Sequence, residues 1–148
     1  MVTLTLIGMT VFTVLLSFMS MTAGTQVSMS ALAGKWRWLF LVALWSQVLI
    51  LPQMLVITPE TWKFITAIGI AMLVFCGGAN IFDKTDEMVH IISAIVASVC
   101  FSIWVAVINP ICFLPLVMCV AAGKDKWKWR VETGLIASVY MTLLLSLV

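Results

Sequence analysis

The stretch MVHIISAIVASVCFSIWVAVINPICFLPLVMCVAAG, residues 88–123, decides how the chain is organised. Its 36 residues include no Asp, Glu, Lys or Arg. As a single helix it would run to about 54 Å at ~1.5 Å per residue, far beyond a hydrocarbon core of about 30 Å. Asn109-Pro110 lies inside it, and that dipeptide favours a turn because proline lacks the N–H a continuing helix needs. The stretch therefore reads as two helices, about 86–107 and a short 110–122 with Pro115 inside.

Working outward, the same length criterion yields four more crossings. Residues 2–23 are apolar from Val2 onward, carry no ionisable side chain and lack the basic region of a signal peptide, so they are expected to stay as a membrane helix. Residues 38–57 follow Lys35-Trp36-Arg37. Residues 62–82 open with Thr58 as expected N-cap, Pro59 at the first helical position and Glu60 in the first turn. Residues 131–148 complete the set. The expectation is an all-α polytopic integral membrane protein, one domain of six antiparallel helices spanning residues 1–148.

Composition agrees with that class. Of 148 residues 64% are hydrophobic and 9% charged, with a mean hydropathy of +1.20. A soluble domain carries about 25% charged residues, so a soluble enzyme, a secreted disulfide scaffold and a disordered tail are excluded. The net charge of +2 leaves no basic surface for nucleic acid. Cys76, Cys100, Cys112 and Cys119 all sit in apolar stretches without metal-ligand spacing, as small hydrophobes do.

Orientation follows from lysine and arginine, which resist translocation and collect on cytoplasmic loops. With six crossings, Lys35, Arg37, Lys84, Lys124, Lys126, Lys128 and Arg130 share one side and only Lys63 the other. Five crossings would divide them three against five and orient nothing. Both termini are therefore expected outside the cytoplasm, with Trp36, Trp38, Trp127 and Trp129 as interfacial anchors. A bacterial cytoplasmic membrane is the expected location.

Two patterns could carry function. Thr3, Thr10, Thr13, Ser17, Ser20 and Gly24 share one face of the first crossing, while Gly134, Ser138, Thr142 and Ser146 step by four along the last. Ala94, Ser98 and Ser102, with Ser93 and Ala97 beside them, add a row on the fourth, and Ala67/Ala71 offer a close contact on the third. Such seams either line a hydrated path, here Thr3, Thr10, Thr13, Ser17, Ser20, Ser138 and Thr142, or simply let helices approach closely in lipid. A path would need an oligomer to supply its lumen.

The second pattern is Asp83-Lys84-Thr85-Asp86-Glu87-Met88-Val89-His90. In one helix Asp83, Asp86, Glu87 and His90 fall at i, i+3, i+4 and i+7, a stripe at the cytoplasmic mouth. With Asn80 nearby it reads as a gate or proton/ion site, since ionisable groups at membrane depth are costly and tend to be functional. The competing reading is a salt-bridge clasp to the two basic loops. Glu87 and His90 also match the Glu-x-x-His spacing of di-metal bundles, but a single copy needs a second chain to complete it. No cofactor and no nucleophile–base–orienter set is legible.

Ser28-Met29-Ser30 after the first crossing, together with Val89-His90 and Ser93-Ala94, resembles a pattern in small polytopic membrane proteins of bacteria and phages. The resemblance implies a six-helix-type membrane fold and no activity. Three functions compete: an oligomeric channel or transporter gated at the stripe, a non-catalytic scaffold docking another membrane protein, and an intramembrane metal enzyme. The first is preferred because the seam of the first crossing runs its whole length.

Overall fold

The computed structural model describes residues 1–23, 32–79, 87–123 and 125–147. Helices α1 (Val2–Ala23), α2 (Ala33–Ser46), α3 (Leu51–Ile57), α4 (Lys63–Ala79), α5 (Glu87–Ile108), α6 (Leu114–Ala121) and α7 (Trp127–Leu145) follow in chain order. Short 3₁₀ turns join α2 to α3, precede α4 and precede α6. Four segments are long and apolar enough to cross a membrane: Val2–Ala23, Lys35–Ile57, Glu60–Gly78 and Met88–Ile108. The chain is thus an all-helical protein with four long apolar helices, compatible with the membrane class its composition demands.

Prolines explain where the helices tighten. Pro52 has no N–H for the carbonyl of Val48, four residues back, and its ring crowds that oxygen. The 3₁₀ turn Gln47–Ile50 solves this by bringing the Leu51 N–H onto Val48 O. Pro115 meets the same difficulty at Ile111, and the turn Pro110–Phe113 answers it with Leu114 N–H. In lipid every backbone group must be satisfied internally, so this local rewinding is what makes both prolines tolerable. The break after α5 forms where Asn109 turns extended (φ −158°) and its side chain accepts from Ile111 N at 3.1 Å. The segment Pro110–Ala121 that follows reaches only about 20 Å.

Several boundaries differ from the sequence reading. The second helix starts at Ala33 rather than Trp38, but Trp36 (φ −125°, ψ 44°) kinks it, so regular helix resumes only at Arg37. The last helix starts at Trp127, four residues early, after a turn in which Gly123 (φ 138°) and Lys126 (φ 55°) take positive φ. Thr58 does not N-cap the next helix: it is the C-cap of α3, its hydroxyl donates back to Met54 O, and Pro59 takes the N-cap position of the turn before α4. Ala67 and Ala71 are both exposed. The contact they were expected to make belongs to Gly69, where a Cβ would stand 3.1 Å from Cys100 Cβ and 3.3 Å from the Phe101 ring.

Two apolar clusters stack along the bundle. One, around Met54, Ile70, Trp104, Val105, Cys112 and Leu143, fills the end where α3 meets α4 and α5 meets α6. The other joins Phe12, Met19, Leu32, Leu44 and Cys76, with Trp36 and Trp129 packed against it. At this second end Lys35 Nζ donates to Thr22 O at 3.4 Å, placing a cation on the carbonyl terminus of α1. Lys126, on the turn into α7, and Lys128 and Arg130, early in that helix, lie there too. At the opposite end Glu60 and Lys63 pair with each other.

Candidate functional site

Of the acidic stripe, Asn80, Asp83 and Asp86 lie outside the described residues, and Glu87 is the first residue of α5. His90 is half-buried one turn further on. Its Nδ1 lies 3.0 Å from Cys76 O and 3.4 Å from Cys76 Sγ, with Nε2 4.0 Å from the same sulfur. Cys76 O is among the last four carbonyls of α4, which a helix leaves without an intrahelical donor. In the tautomer with its proton on Nδ1, the ring donates to that oxygen and caps α4. Glu132 of α7 lies close enough to Cys76 to interact with it electrostatically. Two helices, α4 and α5, thus meet at His90, and of His90, Cys76 and Glu132 sequence reading reached only His90. Nothing in the spacing of Cys76 or Glu132 points to it. Among the described residues no three His, Cys, Asp or Glu side chains gather as metal ligands would.

The two hydroxyl seams end up in opposite surroundings. Thr3, Thr10, Thr13 and Ser17 are exposed on the outside of α1, and Ser20 is half-buried. The inward face of α1 carries Thr5, Gly8, Met9, Phe12 and Met19 instead. Thr13 and Ser20 donate to Met9 O (2.8 Å) and Leu16 O (2.7 Å) of their own helix. Ser138 and Thr142 are buried: Ser138 Oγ accepts from Leu116 N at 3.3 Å, and Thr142 donates to Ser138 O at 2.9 Å. Gly134 of that same row lets the α6 backbone close in, since a Cβ there would stand 2.8 Å from Leu116 Cα. The seam of α7 is a helix–helix contact.

A polar knot that the sequence reading did not single out lies midway along the bundle. Gln47 is twelve residues from Lys35 and ten from Ile57, the ends of its apolar span, and only 4% of it is exposed. Tyr140 Oη donates to Gln47 Oε1 at 2.7 Å, and Gln47 Nε2 donates to Gly8 O at 3.3 Å. Ser46 Oγ lies 3.3 Å from the same carbonyl. The approach requires glycine at position 8, because a Cβ would fall 2.7 Å from Ser46 O. One amide therefore fastens α1, the α2–α3 turn and α7. Interhelical hydrogen bonds in membranes average about 0.6 kcal/mol and reach about 1.7. Gln47→Leu and Tyr140→Phe are each expected to cost about 1 kcal/mol, and the double variant no more than about 1.5. Detergent unfolding of the three variants checks this; full additivity would break the proposed pairing.

Near the opposite end Trp104 Nε1 donates to Thr58 Oγ1 at 2.7 Å, with Thr66 Oγ1 3.3 Å from the same oxygen. All three residues are buried. This is the reason the Thr58 hydroxyl does not N-cap α4: it is held by groups from α3, α4 and α5.

Set beside known proteins, the chain matches no family model, no curated protein and no solved structure. The resemblance read in Ser28-Met29-Ser30 and Val89-His90 rests on those residues alone.

Proposed function

We propose that the protein is a small oligomeric membrane channel or transporter, with the outward face of α1 lining the passage between copies. The residues Asn80, Asp83, Asp86, Glu87 and His90 form its gate or proton site at the basic end. In this reading the chain crosses six times, with both termini outside the cytoplasm. The observation that carries it is the exposure of Thr3, Thr10, Thr13 and Ser17. Thr3, Thr10 and Ser17 repeat every seven residues, and Thr13 and Ser20 follow the last two by three, the a/d register in which helices pair along a seam. Among the described residues the hydroxyls of Thr3, Thr10 and Ser17 have no hydrogen-bond partner, so water or another chain's hydroxyl would satisfy them at less cost than hydrocarbon. Within one chain no such passage is needed, since Ser138 and Thr142 are occupied by packing. His90 supports the gate, being the half-buried ionisable side chain one turn into α5.

A second reading is a scaffold that docks a different membrane protein on the same face. It is favoured by Thr13 and Ser20, whose hydroxyls are satisfied by their own backbone and do not require water. Two measurements separate the readings. In a background with the four native cysteines replaced by serine, Thr10→Cys and Ser17→Cys should cross-link copies of the chain under oxidation, whereas Ile68→Cys on the outside of α4 should not. Ion and proton flux in proteoliposomes should be present and altered by both Glu87→Gln and His90→Ala. Absence of flux across pH and voltage, in folded protein, overturns the channel. Cross-linking without flux leaves a homo-oligomeric scaffold.

A further inference from the structure

The turn between α6 and α7 holds a recess of about 320 Å³ lined by Val120, Gly123, Trp127 and Val131. Its walls are almost wholly apolar, and its size is that of a small ligand site. Beside it stands Arg130, whose Nη1 would lie 3.1 Å from a Cβ on Gly123. Glycine at 123, with φ 138°, is what admits the guanidinium to this place. Nη1 is buried and makes no hydrogen bond among the described residues. An arginine stays charged in any protein, and a buried unpaired N–H on it is costly. Glu132, two residues on, falls on another face of α7. The sequence from Lys124 to Arg130 carries four basic side chains against Asp125 alone, with Trp127 60% exposed beside them.

We infer that this turn binds one anionic phospholipid, its acyl chain in the recess of Val120, Trp127 and Val131 and its phosphate on the Arg130 guanidinium. The chemistry is complementary at both ends. A planar guanidinium pairs bidentately with phosphate oxygens. The flanking Lys126 and Lys128 attract a negative headgroup, each basic side chain near a membrane surface being worth a few-fold in affinity. Tryptophan supplies a flat apolar wall at headgroup depth. A zwitterionic lipid would fill the recess equally well but brings a compensating cation next to Arg130. The inference stands apart from transport, because a scaffold would bind the lipid in the same way.

The test uses the full chain in detergent with equal amounts of dioleoyl phosphatidylglycerol and dioleoyl phosphatidylcholine. Retained lipid is counted by native mass spectrometry. The wild-type protein should keep the glycerol lipid about five- to tenfold in preference. Arg130→Gln should bring the two lipids to near parity, Val131→Phe should lose both by filling the recess, and Lys63→Gln at the far end should behave as wild type. Equal retention by the wild type overturns the inference, as does an undiminished preference in Arg130→Gln. Should that variant not fold, Val131→Phe decides alone, and unchanged lipid retention overturns the site. Competition by glycerol 1-phosphate as effective as by the lipid would mean an anion site without an acyl chain, and also overturns it.

Discussion

Gly134→Leu is expected to detach α6 from α7 and to destabilise the protein by about 3 kcal/mol or more. The added Cβ would stand 2.8 Å from Leu116 Cα and 3.1 Å from Cys119 Cβ. The first of these is backbone, which cannot swing aside as a side-chain tip does. Separating the helices also breaks the bond from Leu116 N to Ser138 Oγ, leaving a donor unpaired in an apolar interior. The segment Pro110–Ala121 is short, and apart from α7 it is anchored mainly at its start, by Cys112 and Phe113 in the apolar cluster. Gly134→Ala should show an intermediate loss. Gly78→Ala is the matched control: nothing lies within 4 Å of its Cβ position. Alanine there should be neutral or stabilise by up to about 1 kcal/mol through helix propensity. Unfolding midpoints in mild detergent should rank Gly134→Leu below Gly134→Ala below wild type. A Gly134→Leu protein as stable as wild type would mean that α6 does not pack here.

Trp104→Ala should cost about as much, by a different mechanism. Trp104 is 2% exposed in the cluster that joins α3, α4, α5 and α7. For a soluble core, removing a buried tryptophan costs about 3–5 kcal/mol, part of it transfer from water and part the cavity left behind. In a bilayer the transfer part largely vanishes, since lipid tails are as apolar as the core. The cavity and lost dispersion contacts remain, so the lower end, about 3 kcal/mol, is expected. Trp104→Phe keeps most of the volume and loses the donor to Thr58, for about 1 kcal/mol. Thr58→Val should match Trp104→Phe, and the pair should be sub-additive. Chemical unfolding of the four proteins gives the comparison. A Trp104→Phe loss as large as that of Trp104→Ala would assign the stabilisation to the hydrogen bond rather than to packing.

These two sites show where sequence reading of such a chain succeeds and where it stops. The break at Asn109-Pro110 was legible because its cause is local: proline removes a donor, and the asparagine side chain supplies the cap. Pro52 carried the same information and was read through as ordinary helix. The reason is that a 3₁₀ turn hides it without ending the helical run. Gly134, Ser138 and Thr142 were visible as a seam, and the structure shows them packed. Thr3, Thr10 and Ser17 made an equally clear pattern and lie on the outside. Ala67 and Ala71 suggested a contact that Gly69 makes instead. Burial could not be told from exposure because hydrocarbon outside the bundle resembles the hydrocarbon inside it. Apolar residues then cover every face, and periodicity loses the contrast that marks a core in water.

What the sequence determined by itself is the class: too few charges to wet a surface, and apolar runs long enough that only helices can satisfy their backbone in lipid. It also determined the helix break at Pro110, because that depends on one missing N–H. Only the tertiary structure decided which neighbours each polar group would find. Gln47 meets Tyr140, 93 residues away, and Gly8 O, 39 residues away. Thr58 meets Trp104, and His90 meets Cys76. Hydrogen bonds of that reach leave no trace in spacing along the chain. They exist because a buried donor is costly in hydrocarbon unless the packing of helices brings it an acceptor.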